Sequence, residues 1–113
     1  MKLSKKGILL RIFVGEKDRW KGKSLHEGIV RLAREKRMAG ATALKGFLGF
    51  GAKSHLHTSK LLRLSEDLPI VIEIVDVAKK IKEFLPYLDE MVQEGLITQE
   101  KVNVVMYRQG VKK

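Results

Sequence analysis

The chain has 113 residues with 23 Lys or Arg and 13 Asp or Glu, which gives a formal net charge of +10. This length predicts one domain over residues 1–113, with basic tails at 1–7 and 108–113. The absence of cysteine excludes disulfide and thiolate chemistry. No apolar stretch approaches the roughly 18 residues that cross a bilayer, and Arg11 interrupts the short apolar run near the start, so we expect a cytoplasmic protein without membrane insertion.

The positive charge is concentrated in the first half of the chain. Residues 1–63 hold 16 Lys or Arg and 4 Asp or Glu, whereas residues 64–113 hold 7 and 9. Such asymmetry suits nucleic acid, phosphorylated metabolites or an acidic partner. It also suits a heat-adapted surface rich in Lys and Glu, so charge by itself does not rank these alternatives.

A strand and a helix are predicted first. Alternation from Ile8 to Val14 indicates a strand, and Gly15 to Lys23 is expected to be a charged loop. Ser24 and Glu27 form a capping-box pattern at the start of a helix. That helix should end before Gly40, after a stripe of apolar residues at helical spacing.

A second strand is predicted from Thr42 to Gly49, with Leu44 and Leu48 on one face and Ala43, Lys45 and Phe47 on the other. Leu61 to Leu64 is a candidate hairpin arm. The turn residues from Ser65 to Pro69 precede a third strand, Ile70 to Val75.

The second helix follows, with Asp76 as its predicted cap and Gly95 as its end. Pro86 should kink or restart it, because proline does not fit a helix interior. A last strand is predicted from about Val102 to Tyr107.

The order strand, helix, strand, strand, helix, strand predicts an α+β, ferredoxin-like βαββαβ sandwich, an antiparallel sheet with two helices on one face. The other face is expected to be half-buried. It carries apolar residues around one polar residue in each strand: Arg11, Lys45, Glu73 and Asn103. We expect Arg11 and Glu73 to pair across neighbouring strands. Hiding this face predicts a homo-oligomer.

The stretch from Gly46 to Lys60 is the first candidate site, because glycines, cations, hydroxyls and histidines occur there without core-forming periodicity. Bare amides around Gly46, Gly49 and Gly51 favour an anion such as phosphate or carboxylate. The alternative is a glycine turn that binds nothing.

Gly15 to Ser24 has the context of a phosphate-binding P-loop, between a strand and a helix. Six residues separate the first glycine from Gly-Lys-Ser where a P-loop has four, so a nucleotide hydrolase is not favoured. A solvated basic loop and a looser anion site using Lys21, Lys23 and the helix start remain as alternatives.

His55 and His57 are two residues apart, a spacing that can chelate a metal on a strand. The sequence offers no obvious third ligand, so a polar pair in a loop is the alternative and no metal site is assigned. Ser54, Thr58 and Ser59 lack an evident orienting carboxylate. We therefore expect no catalytic residues, no enzyme activity and no cofactor.

RNA binding is the rival hypothesis, because ferredoxin-like sheets also stack bases on aromatic residues such as Phe13 and Phe47. The usual closely spaced aromatic and glycine pattern is absent, and oligomerisation would hide that face. Nucleic acid is therefore an unfavoured partner.

Several strings resemble a known family. Gly49-Phe-Gly51, followed by a long polar loop and then Leu68-Pro69, resembles the PII nitrogen-regulatory signalling proteins. The chain from Leu10 to about Met106 resembles more closely the uncharacterised PII-like proteins of domain-of-unknown-function family 190, through the strings Arg11-Ile-Phe-Val-Gly-Glu16, Gly40-Ala-Thr42 and Leu64-Ser-Glu-Asp-Leu-Pro69. The resemblance implies a homotrimer with sheets facing the threefold axis and clefts between subunits, where PII proteins bind adenine nucleotides.

By position, the resemblance implies ligand contacts from Gly49, Gly51 and Lys53 at the base of the regulatory T-loop. The T-loop would contain Ser54, His55, His57 and Thr58 and would engage a protein target. Gly95 to Lys101 occupies the place of the PII phosphate loop, where Lys101 would supply charge. The chain is thus expected to be a non-enzymatic regulator that binds a small anionic ligand.

Overall fold

A computed structural model describes residues 5–50 and 67–110 of the chain. Its helices and strands are, in order, β1 Lys6–Gly15, β2 Arg19–Trp20, β3 Lys23–Ser24, α1 Leu25–Glu35, β4 Gly40–Lys45, β5 Pro69–Asp76, α2 Ala78–Met91 and β6 Leu96–Asn103. The four long strands form one antiparallel sheet in the order β4-β5-β1-β6. Both helices pack on the same face of it. The predicted α+β, ferredoxin-like fold is confirmed. Among the described residues, no helix is long and apolar enough to cross a membrane.

The core lies between this sheet and the two helices. Alternate residues are buried from Leu10 to Val14 in β1 and from Ile70 to Asp76 in β5, so each strand presents a mainly apolar row to the helices. The helices complete the core with stripes at helical spacing. Its most deeply buried members are Leu10, Ile12, Ile29, Ile72, Ile74, Ile81, Phe84 and Leu88.

The segment predicted as a charged loop contains a short hairpin. Strands β2 and β3 pair in register, Arg19 opposite Ser24 and Trp20 opposite Lys23. Lys21 and Gly22 form the connection, with φ of 51° and 79°. Positive φ at both central residues is typical of a tight hairpin turn whose twist matches its strands.

Neither predicted cap forms as expected. Ser24 stands at the N-cap of α1, but its side chain makes no capping hydrogen bond; its hydroxyl lies 3.1 Å from His26 Nδ1. Asp76 lies at the end of β5, and Val77 precedes α2. The buried Asp76 carboxylate accepts the amides of Ala39 at 2.9 Å and Val77 at 2.7 Å. It therefore joins the α1–β4 connection to the end of β5.

Helix α2 is continuous through Pro86, so the predicted restart is wrong, and it ends at Met91 rather than at Gly95. Proline removes the hydrogen bond to the carbonyl of Lys82, four residues earlier. Both residues are exposed, so water can satisfy that carbonyl.

Strand β4 ends at Lys45, and its faces are the reverse of the prediction. Ala43 lies opposite Ile72 and therefore faces the helices, whereas Leu44 lies opposite Val71 on the other face. Alternation reveals that two faces exist but not which one is covered. Here the small alanines lie on the side where α1 packs.

The last strand was predicted at the wrong place. Strand β6 runs over Leu96–Asn103 and pairs with β1, Leu96 opposite Phe13 and Asn103 opposite Lys6. The predicted strand from Val102 to Tyr107 overlaps it by two residues. The chain then continues without regular structure, and the Tyr107 hydroxyl donates to the carbonyl of Ala39 at 3.3 Å. The predicted arm from Leu61 to Leu64 lies outside the described residues.

Candidate functional site

Four strand ends meet at one end of the sheet: β1 ends at Gly15, β4 ends at Lys45, β5 begins at Pro69 and β6 begins at Leu96. Backbone hydrogen bonds hold them together. The amide of Glu16 donates to Leu68 at 2.8 Å, and that of Gly46 donates to Pro69 at 2.7 Å. Phe50 and Asp67, which flank the stretch predicted as a T-loop, both lie at this end.

A cleft of about 380 Å³ opens at this end, and we call it the loop-base cleft. A volume of this size falls within the range of small-molecule sites. Its walls are mostly apolar, with three carboxylates among them. The lining residues are Phe13, Val14, Gly15, Asp18, Gly49, Phe50, Asp67, Pro69, Glu94, Gly95 and Leu96.

Close neighbouring atoms explain two of the lining glycines. A Cβ on Gly95 would lie 2.6 Å from the carbonyl oxygen of Phe13, and one on Gly15 would lie 2.8 Å from Asp67 Oδ1. The first contact is with backbone and the second with a side-chain carboxylate, and a real Cβ tolerates neither without a shift of its neighbour. Glycine at these positions leaves part of the cleft wall as bare main chain.

The carboxylates of the loop-base cleft organise the turn after β1. Asp18 is only 8% exposed, and its Oδ2 accepts the amide of Gly15 at 2.9 Å. Asp67 Oδ1 accepts the amide of Lys17 at 3.0 Å. Carboxylates in this position can also accept hydrogen bonds from hydroxyl or amino groups of a ligand, whereas they repel a phosphate brought close to them.

An ion pair lies beside this turn. Lys45 Nζ approaches Glu16 Oε2 to 2.8 Å. The hydrogen bond from the ammonium group lowers the pKa of the Glu16 carboxyl below its ordinary value. The pair links the end of β4 to the residue that follows β1.

The predicted ligand contacts divide into three groups. Gly49 lies in the wall of the loop-base cleft. Lys101 lies on β6 opposite Ile8, near the other end of the same sheet. The stretch from Gly95 to Lys101, which the resemblance gives the place of the PII phosphate loop, is mostly strand. The rest lie outside the described residues: Gly51, Lys53, Ser54, His55, His57 and Thr58.

Sequence reasoning missed the acidic residues of the cleft. The sequence pattern indicates only a turn at Asp67 and a charged loop at Asp18, and no pattern points to Glu94. Asp18, three residues after Gly15 where β1 ends, was the available signal, because aspartate side chains bind nearby backbone amides in turns.

The sheet face away from the helices, here called the helix-free face, carries an ion cluster within an apolar surround. Arg11 Nε lies 3.0 Å from Glu73 Oε2, and Arg11 Nη1 lies 2.6 Å from Glu100 Oε1. The predicted Arg11–Glu73 pair is confirmed. The pKa of Arg11 is raised. The hydrogen bond to Glu73 is the largest cause, and the hydrogen bond to Glu100 is the next.

Apolar side chains surround this cluster, and no helix of the described residues covers them. Leu9 lies opposite Val75 and Phe13 opposite Val71. At the edges, Leu44 is 50% and Leu96 55% exposed. The exposed ring of Phe50 lines the loop-base cleft. Contiguous apolar surface of this kind marks an interaction site more often than a solvated one.

Metal ligands do not gather in the described part of the chain. Across residues 5–50 and 67–110, no three His, Cys, Asp or Glu side chains are close enough to hold an ion. The ring of His26 contacts the Ser24 hydroxyl instead.

Known proteins are similar to this chain in sequence and in fold. Residues 7–104 match the model of the DUF190 family, described as Uncharacterized ACR. A UPF0166 protein of Aquifex aeolicus is 37% identical over 97 residues, which covers 86% of this chain and 91% of that protein. A UPF0166 protein of Methanocaldococcus jannaschii is 33% identical over 93 residues, covering 81% and 85%.

A solved structure shares the fold. The structure of CPII from Thiomonas intermedia K12, bound to ADP, AMP and acetate, superposes with a TM-score of 0.63 at 14% identity, covering 89% of this chain and 90% of that one. The sequence matches and the shared fold lead to one conclusion: the chain belongs to the DUF190 (UPF0166) family and has a PII-like fold.

Proposed function

We propose that this protein is a non-enzymatic, PII-like regulator that binds an adenine nucleotide at clefts between the subunits of a homotrimer. The loop-base cleft carries the proposal, because it lies where residues 51–66 join a sheet of the same fold as a protein solved with ADP and AMP. This position couples an occupied cleft directly to the segment that would contact a protein target.

The chemistry of the cleft suits the nucleoside end of a nucleotide. Phe13, Pro69 and Leu96 offer apolar surface for a flat ring. Asp67 Oδ1 is engaged by the amide of Lys17, and the same carboxylate has a further oxygen that can accept a ribose hydroxyl or the adenine amino group. Adenosine therefore fits the described walls better than a phosphate does.

The phosphates require cations that the described lining of one chain does not supply. Its charged members are Asp18, Asp67 and Glu94, all acidic. Lys53 and Lys101 are the cations that we propose for this task. Because Lys101 lies far along β6 from the cleft of its own chain, it would act from a neighbouring subunit.

The helix-free face supports the trimer. It combines half-buried apolar side chains with an ion cluster in which Arg11 pairs with two carboxylates, a composition suited to contact between copies of the chain. The trimer is tested by sedimentation or light scattering at micromolar concentration. A lone 12.8 kDa particle would contradict it.

Isothermal titration calorimetry with ATP, ADP, AMP and cyclic AMP tests the ligand. We expect saturable heat with at least one of them. Phe50→Ala should weaken binding, because Phe50 lines the cleft, while Phe47→Ala is the matched control, an exposed phenylalanine that is not in the lining. No heat with any of the four would remove the nucleotide proposal, and equal losses in both variants would remove the assignment to this cleft.

A further inference from the structure

A second depression lies on the helix side of the molecule, and we call it the hairpin trough. Its first part lies between the β2–β3 hairpin and α1, and its second continues across α1 to α2. The two parts share Trp20, Lys21, Gly28 and Arg31. None of its lining residues belongs to the loop-base cleft, so the two sites can be tested separately.

Charge differs between the two ends of the trough. The hairpin end carries Arg19, Lys21, Lys23 and Arg31 against a single carboxylate, Glu27, and all five are exposed. The guanidinium of Arg19 donates to the carbonyl of Gly22 at 2.7 Å, which holds it across the turn. The other end contains Glu35 and Glu90 beside the apolar surface of Leu32, Tyr87 and Met91.

The floor of the trough contains a glycine that packing does not require. Gly28 lies in the middle of α1, and a Cβ added there would meet only Met91 Cε, at an ordinary contact distance of 3.5 Å. Glycine inside a helix is destabilising relative to alanine. Its bare Cα leaves the floor open beside Trp20.

We propose that the hairpin trough binds an acidic polypeptide segment of a partner protein. The carboxylates of the bound segment would lie among the hairpin cations, and an apolar side chain of the same segment would pass over Gly28 towards Met91. Charge complementarity at one end and apolar surface at the other favour a peptide that is acidic in one part and apolar in the next.

Other occupants fit less well. A nucleic-acid backbone is negative throughout and would be repelled by Glu27, Glu35 and Glu90. Stacking on Trp20 would compete with Lys21, whose Nζ lies 5.3 Å from the ring centroid. The undescribed segments of this chain are themselves net basic: 1–4 with Lys2, 51–66 with Lys53, Lys60 and Arg63 against Glu66, and 111–113 with two lysines.

The test uses the full-length protein and a synthetic peptide in which several Glu residues precede a Leu. Trp20 is the only tryptophan of the chain, so its fluorescence reports on the trough, and calorimetry gives a second measurement. We expect saturable binding that weakens as salt rises. Lys21→Glu with Arg31→Glu should raise the Kd at least tenfold. The matched control is Lys79→Glu with Lys82→Glu, two exposed α2 positions outside the trough lining, and it should leave the Kd within twofold.

Three outcomes would overturn the proposal: no binding of the peptide, equal weakening by both pairs of charge reversals, or tighter binding of a single-stranded RNA oligomer that depends on Lys21 and Arg31. The nucleotide titration should be unchanged in the Lys21 and Arg31 variant. A failure of nucleotide binding is therefore distinguishable from a failure of the trough.

Gly28→Ala tests the floor. The variant should melt about 4 °C higher, because alanine favours the helix, yet bind the peptide at least threefold more weakly, because its methyl group fills the floor. A stabilised variant with unchanged affinity would overturn the proposed position of the apolar side chain.

Discussion

The two faces of the sheet are built from the same strands but are completed differently. On the helix side, Leu10, Ile12, Ile72 and Ile74 are fully buried by α1 and α2. On the helix-free face their neighbours are only half-buried and surround the Arg11 cluster. The first face is completed within the described chain, whereas the second has the composition of a surface that another molecule completes. Alternation creates both faces, but only the helix-side face owes its burial to the chain's own helices.

The largest expected effect is the difference in stability between shortening a side chain on the helix side and shortening one on the helix-free face. Ile72→Ala should lower the free energy of unfolding by about 2–5 kcal/mol, because it removes buried surface and leaves a cavity. Val71→Ala, one residue away on the other face, should cost about 1 kcal/mol or less in a dissociated chain and more in an assembled one. Urea denaturation at two protein concentrations measures both. A Val71→Ala cost that does not change with concentration would count against the assembly.

Charging the helix-free face should disrupt assembly. Val71→Lys would place an ammonium group in the proposed subunit contact, where its desolvation is unfavourable, so we expect a 12.8 kDa species by sedimentation at micromolar concentration. Ala78→Lys, at an exposed position on α2, is the control and should sediment like the unmodified protein. If the two variants behave alike, Val71 is not at the contact.

The ion cluster offers a sharper test of the same face. Arg11→Met leaves Glu73 and Glu100 without their shared cation, so the melting temperature should fall. Arg11→Met with Glu73→Leu should recover part of the loss, because replacing both members of a pair is less harmful than orphaning one. Thermal unfolding of the three proteins at pH 7 makes the comparison. No recovery in the double variant would show that the pair itself, rather than an orphaned carboxylate, matters.

The smallest expected effect concerns Glu16, beside the loop-base cleft. Lys45 lowers its pKa in the folded protein below the ordinary value of 4.5. The ion pair therefore contributes stability above pH 4.5, and this contribution is lost as the pH falls through the lower, folded pKa. The difference in melting temperature between the unmodified protein and Glu16→Gln should be present at pH 7 and shrink as the pH falls below 4.5.

The control for that experiment is Glu83→Gln, an exposed carboxylate on α2. It should differ little from the unmodified protein at any pH. If the difference in melting temperature caused by Glu16→Gln persists unchanged at acid pH, the hydrogen bond to Lys45 causes it and the charge of the Glu16 carboxylate does not.

Local sequence determined the central parts of this protein. The alternation in β1 and β5, the apolar stripes of both helices and the element order were sufficient to predict the fold, and the mid-strand positions of Arg11 and Glu73 predicted their pairing. The family was indicated separately, by short strings such as Arg11-Ile-Phe-Val-Gly-Glu16. These features depend on periodicities of two and about 3.6 residues, which act within a single element or between adjacent strands.

Tertiary structure alone decided the rest. Strand β6 is an edge strand with little alternation, and its place is set by pairing with β1. The covered face of β4 depends on where α1 packs, and Asp76 binds an amide 37 residues away. The cleft brings together Asp18, Asp67 and Glu94 from three connections. No local sequence pattern indicates that groups so far apart in sequence lie close together, because only the assembled sheet brings their backbones together.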